Sequence, residues 1–112
     1  MARCFQGLVI IIFLGCGLAW SPALASAQGQ AVYSDKCAMC HGEDGSGNGP
    51  AAASFNPAPA DFTSPVFWQK TSNARITQTI ENGHGPMPAI DLSPSQIKAV
   101  VEYMSQTFKP GG

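Results

Sequence analysis

Cys37-Ala38-Met39-Cys40-His41 places two thiols three residues apart and follows the second, with no spacer, by an imidazole. In a helical turn residues i and i+3 share one side. Two thiols so placed reach the two vinyl groups along one edge of a porphyrin and form thioethers, and the adjoining imidazole swings a ring nitrogen under the ring to the iron. This C-x-x-C-H spacing is the signature of covalent haem attachment. Three plainer readings compete: a structural disulfide, a thioredoxin-like redox pair, or half of a zinc site. Zinc wants four ligands, and only His84 adds another imidazole to this set. A thioredoxin-like pair wants an alternation of strand and helix that the chain does not carry.

Upstream of this stretch the chain has a different character. Arg3 gives a short positive start, Leu8 to Trp20 is an uncharged apolar run, and Ala23-Leu24-Ala25-Ser26-Ala27 offers small residues for cleavage. This is the pattern of a secretory signal peptide, with cleavage after Ala25 or Ala27, so that residues 1–27 form the leader and 28–112 the mature domain. The apolar run as a helix rises only about 20 Å, short of a hydrocarbon core about 30 Å thick. Cys16 follows Gly15 in the manner of a lipid-attachment cysteine, but Phe13 and Leu14 fit that pattern poorly. The expectation is export to the periplasm, where Cys37 and Cys40 remain as the only thiols of the mature chain and require a chemical assignment.

A mature domain of about 85 residues has a marginal side-chain core, and a bound group would help to hold it together. Its five basic residues (Lys36, Lys70, Arg75, Lys98 and Lys109) are scattered among seven acidic ones. No basic cluster is present to neutralise phosphates, which argues against nucleic acid as a partner.

The mature chain reads as all-α, about three main helices with long loops. The first runs from about Gln30 into the cysteine pair, with Val32, Tyr33 and Cys37 on one face. Residues 42–50, with four glycines followed by Pro50, stop it. Pro57, Pro59 and Pro65 mark an irregular stretch with one short helical turn near Ala51 to Phe55. A loop of that length is unusual in a compact domain, and wrapping a large apolar group would account for it. Ser72 or Asn73 caps a second helix bearing Ile76 and Ile80, ended by Asn82-Gly83. Ser93 caps a third, with Pro94 at its first position, Gln96 completing a capping box, and an apolar stripe of Ile97, Val100, Val101, Met104 and Phe108.

With His41 on one side of an iron, the candidates for the other side are Met39, Met87, Met104 and His84. Met39 lies within the attachment turn and does not reach the opposite ring face, and Met104 belongs to the apolar stripe of the last helix. Met87 sits in Gly85-Pro86-Met87-Pro88, where two prolines limit backbone freedom and allow a stiff loop to present a thioether. Histidine–methionine ligation raises the reduction potential relative to two nitrogen ligands. His84, in the same loop, is the alternative ligand.

CAMCH preceded by Gly29 and Tyr33, the Gly49-Pro50 pair, the loop GHGPMP and the last helix with Tyr103 together resemble the class I c-type cytochromes over nearly the whole mature chain. The stretch HGEDGSGNGPAAASFNPAPADF followed by Phe67-Trp68 resembles more narrowly the bacterial monohaem group related to cytochrome subunits of terminal oxidases. The resemblance implies a small cytochrome c fold wrapped around one covalent haem c. It implies that Gly29 and Tyr33 pack against Val100 and Tyr103, and that the Pro50 carbonyl accepts the second ring N–H of His41. It places Met87 as the distal ligand and Phe55, Phe62 and Trp68 as walls of the haem pocket, and leaves open which of Trp68, Gln69 or Arg75 meets the propionates.

Three functions suit one haem in a small exported domain. An electron carrier needs a six-coordinate iron and a small reversible docking surface. A ligand sensor needs a displaceable sixth position, and a small peroxidase needs an open one with an acid or base above it. The carrier ranks first, as a monomer exchanging electrons with a dehydrogenase or with a terminal oxidase or reductase. Contact with a membrane then arises only through docking to such partners.

Overall fold

The computed structural model describes Gly15, Gly17 and residues 22–111; the apolar run of the leader, with Arg3 and Cys16, lies outside them. The described chain is built of helices: α1 (Pro22–Lys36), α2 (Ala38–His41), α3 (Pro65–Lys70), α4 (Asn73–Asn82) and α5 (Pro94–Thr107), with a 3-10 turn at Ala52–Ser54. Among the described residues the only β pairing is a single bridge between His84 and Met87. No helix among them is long and apolar enough to cross a membrane.

α1 starts at Pro22 rather than near Gln30. The alanine-rich segment that offers cleavage positions is also strong helix-forming sequence, and a proline at the first helical position has no N–H to waste. The packed part of α1 begins at Gly29, which is buried with Val32 and Tyr33. Residues 23–28 are exposed apart from half-buried Ala25. α1 crosses α5 at Gly29: a Cβ there would lie 2.6 Å from the Cβ of Tyr103 and run into the Ala99 carbonyl. This close approach lets Tyr33 and Val100, both 0 % exposed, anchor the core with Ile97, Val101 and Met104.

α5 also packs against α4, through a core that includes Ile76 and Ile80. The termini of both helices follow their side chains. Ser72 caps α4 by accepting from the Arg75 N–H, and Gly83 ends it with φ 76°. At α5, Ser93 and Gln96 form the complete capping box ahead of Pro94. α3 departs from the expected irregular loop. Pro65, a chain breaker inside a helix, stands here at the helix's first turn. The short helix seats Phe67 and Trp68, half-buried, on the core.

Candidate functional site

The first helix does not run unbroken into the cysteines. Cys37 is a hinge between α1 and α2, its N–H donating to the Tyr33 carbonyl at 2.9 Å and its own carbonyl accepting from Cys40 and His41 at 3.2 and 2.9 Å. The two thiols and the imidazole are therefore carried by one tight turn. A four-residue helix leaves its carbonyls without helical partners, and here the glycine-rich segment supplies them. The Met39, Cys40 and His41 carbonyls accept from the N–H groups of Ala51 (2.9 Å), Gly49 (3.1 Å) and Gly47 (2.7 Å). A Cβ at Gly49 would collide with the Met39 carbonyl, so this approach requires glycine. The Tyr33 hydroxyl donates to the Gly42 carbonyl at 2.7 Å, bolting the end of the turn to α1. Burial raises the Tyr33 pKa well above the ordinary phenol value, so the hydroxyl keeps its proton.

Cys37 and Cys40 are free thiols, both half-buried. Burial, and secondarily the neighbouring Cys40, pushes the Cys37 thiol up to about 11. His41 is half-buried, and burial lowers its pKa against the opposing pull of a hydrogen bond to the Ala60 carbonyl. Its imidazole is thus neutral near pH 7, the form in which histidine ligates a metal. Nδ1 lies 3.1 Å from the Ala60 oxygen and donates to it, which leaves Nε2 as the available ligand atom.

This contact corrects the role given to Pro50. The 49–51 segment is folded back onto α2, and Pro50 lies exposed at its surface. The acceptor comes instead from the turn at 60–63, where the Asp61 carboxylate takes the Thr63 N–H at 2.8 Å and the Thr63 hydroxyl at 2.6 Å. That aspartate–x–threonine turn is the sequence signal that points to a fixed backbone beside His41.

Phe62, expected as a pocket wall, is buried and lies face to face with the His41 ring, centroids 4.4 Å apart and planes inclined by 20°. Its N–H donates to the Gly45 carbonyl at 2.7 Å, and its carbonyl accepts the Trp68 Nε1–H at 2.7 Å. The Trp68 N–H is thereby occupied, while Gln69 and Arg75 are exposed. Phe55 and Trp68 are half-buried.

Met87 lies apart from the attachment turn in sequence, on a hairpin that follows α4. His84 and Met87 exchange backbone hydrogen bonds of 2.9 and 3.0 Å across Gly85-Pro86, and Gly85 has φ 55° as such a tight turn demands. The hairpin is tied back to α4 by the Ile90 N–H, which donates to the Ile80 carbonyl at 2.8 Å. Met87 is half-buried and His84 exposed. Met39 is 60 % exposed and Met104 is in the core.

The zinc alternative loses support on this geometry: among the described residues no three of His, Cys, Asp and Glu come together as a metal cluster. A porphyrin fits the donor set. Two thiols share one turn, a neutral imidazole has one nitrogen tied and the other available, and the fold presents a stiff thioether loop after α4. The half-buried apolar side chains of Phe67, Trp68, Ile90 and Leu92 rest on the core without being enclosed by it.

Helices joined by these loops, with a C-x-x-C-H turn at the end of the first, define a c-type cytochrome. Residues 24–104 match the family described as cytochrome c oxidase, cbb3-type, subunit III, and the chain belongs to that family. It is 36% identical over 83 residues to the cbb3-type cytochrome c oxidase subunit FixP of Azorhizobium caulinodans, a match covering 71% of this chain and 26% of the relative. To the cbb3-type subunit CcoP of Cereibacter sphaeroides it is 31% identical over 85 residues, 73% of this chain and 27% of the relative. The chain thus spans about a quarter of the length of these relatives. Among solved structures, a chain of the Kuenenia stuttgartiensis reducing HAO-like protein complex superposes with a TM-score of 0.57 at 28% identity, covering 71% of this chain and 41% of that one.

Proposed function

We propose that this protein is a periplasmic one-electron carrier that holds a single haem c through thioethers at Cys37 and Cys40, with His41 and Met87 as iron ligands. Bound there, the haem supplies an Fe(III)/Fe(II) couple, and the chain's own residues bind, orient and tune it. The observation that carries the reading is the attachment turn itself: two thiols and a neutral imidazole on one turn, with Nδ1 of His41 committed to Ala60 at 3.1 Å. The Ala60 carbonyl holds the tautomer that leaves Nε2 toward a metal, and strengthens its basicity. Between the two candidates of the distal loop, half-buried Met87 is better placed than exposed His84. A thioether opposite the imidazole favours the ferrous state and a raised potential.

The leader pattern of residues 1–27 supports export, and cleavage after Ala25 or Ala27 removes nothing of the α1–α5 crossing, which begins at Gly29. The relatives' membership of cbb3-type oxidases supports a terminal oxidase as the electron acceptor, with a reductase as the alternative acceptor and a dehydrogenase as the upstream donor. The scattered, weakly negative charge suits transient docking by a monomer.

The test is to express the full chain in a host that attaches haem c and to record ferric and ferrous spectra with a redox titration. Expected are a low-spin spectrum in both states, one reversible one-electron wave, and haem that stays with the polypeptide through acid–acetone extraction and a denaturing gel. Haem lost in either step overturns the thioether assignment. A high-spin ferric iron that binds outside ligands readily overturns the carrier reading in favour of a sensor or peroxidase.

A further inference from the structure

The His41 ring is restrained in two ways, and only one of them is a hydrogen bond. The bond from Nδ1 to the Ala60 carbonyl lies along the ring plane and fixes where that nitrogen points. It does not fix the plane, because the ring can still tilt about the N···O line. The second restraint is the Phe62 face at 4.4 Å and 20°, which blocks that tilt on one side.

Phe62 is itself immobilised. It is 6 % exposed, its backbone is pinned by Gly45 on one side and Trp68 on the other, and its ring touches Tyr33, Phe67 and Phe108 at centroid distances of 6.5, 5.0 and 6.2 Å. Both restraints come from one three-residue segment, Ala60–Phe62, held by the Asp61–Thr63 turn. Of the residues in this segment, only Phe62 presents a flat rigid surface to the imidazole.

Resting on the ligand role of His41 given above, we propose that Phe62 is a positioning residue that sets the orientation of the His41 imidazole plane relative to the porphyrin. The orientation of an axial imidazole decides which iron d orbital holds the unpaired ferric electron, and so how its spin spreads over the ring substituents. A flat partner at position 62 is required for this, whereas apolar volume alone suffices for packing. Phe62→Leu keeps an apolar side chain and discards the plane; Phe62→Tyr keeps the plane.

The experiment compares wild type, Phe62→Leu and Phe62→Tyr as haem-loaded protein, by ferric electron paramagnetic resonance and by the paramagnetically shifted haem-methyl signals in proton NMR. In Phe62→Leu the largest g-value shifts and broadens and the spread of the methyl shifts is redistributed, while the optical spectrum stays low-spin; Phe62→Tyr restores the wild-type pattern. Wild-type g-values and methyl shifts in a folded Phe62→Leu overturn the proposal. If the leucine variant does not fold, the ferrous wild-type protein decides: nuclear Overhauser contacts between the Phe62 and His41 ring protons support the stack, and their absence overturns it. A wild type without haem absorbance, or without histidine ligation, refutes the underlying haem reading instead.

Discussion

Gly29→Ala adds a single methyl group at the point where α1 and α5 touch most closely. The new carbon would stand 2.6 Å from the Tyr103 Cβ, with the Ala99 carbonyl closer still. Carbon atoms pack at about 3.5–4.0 Å, so the helices must part by on the order of 1 Å. Neither obstacle is the mobile tip of a side chain: one is backbone and the other a Cβ, so no rotamer change relieves the clash. Overpacking of this kind costs about 1–3 kcal/mol, and the absence of an escape route puts Gly29 at the upper end. Alanine's better helix propensity returns about 1 kcal/mol. The net is a loss of roughly 2 kcal/mol, and for a domain of this size that lowers Tm by about 10 °C. The assay is thermal unfolding of the haem-loaded protein, followed by far-UV circular dichroism and haem absorbance. Ala31→Gly, at an exposed position on the same helix, serves as a control that loses about 1 kcal/mol from propensity alone. A Gly29→Ala protein as stable as wild type, or more so, would refute the crossing as the origin of the glycine.

Met87→Ala should turn the ferric iron high-spin or open it to outside ligands and should lower the reduction potential; an unchanged spectrum and titration would transfer the ligand role to His84. Ser93→Ala removes the hydroxyl that accepts the Gln96 N–H and should cost about 1 kcal/mol in denaturant unfolding, with no change in the haem spectrum. Asp44 accepts from the Ser46 N–H and hydroxyl at 3.1 and 2.8 Å, which lowers its pKa below 3.8. The stability from this pairing is fully present above that value and is lost as pH falls through the lower folded value. Ser46→Ala removes the hydroxyl donor and should therefore lower stability at neutral pH, with the difference from wild type narrowing as pH falls through the Asp44 titration; a difference that is the same at every pH would rule this linkage out.

The parts of the structure legible in sequence are those where one local rule acts alone. The capping box at Ser93 and Gln96, the Ser72 cap and the Gly83 stop each depend on neighbours within a few residues, and the C-x-x-C-H spacing is likewise local. The start of α1 is harder, because small alanines serve both a leader's cleavage site and a helix. α3 was hidden because Pro65, among Pro57 and Pro59, looks like continued irregularity when it is a helix start. The contacts around His41 are long-range. A carbonyl carries no side-chain signature, so nothing local distinguishes Ala60 from Pro50 as the acceptor, and Phe62 reaches the imidazole only because its turn is folded against residues 45 and 68.

The bonds from the glycine segment to α2 have a stride. Gly47, Gly49 and Ala51 donate to His41, Cys40 and Met39 in turn, two residues of loop for each residue of helix. Donors fall on odd positions, and the N–H groups of the even positions between them take no part in this ladder. Pro50, the one residue that brings no N–H, occupies one of these unused positions and lies exposed. The spacing from His41 to Ala51 is therefore a matter of parity as well as length. Inserting or deleting one residue there would point the wrong edge of the loop at the attachment turn, and an added or removed pair would keep the correct edge inward.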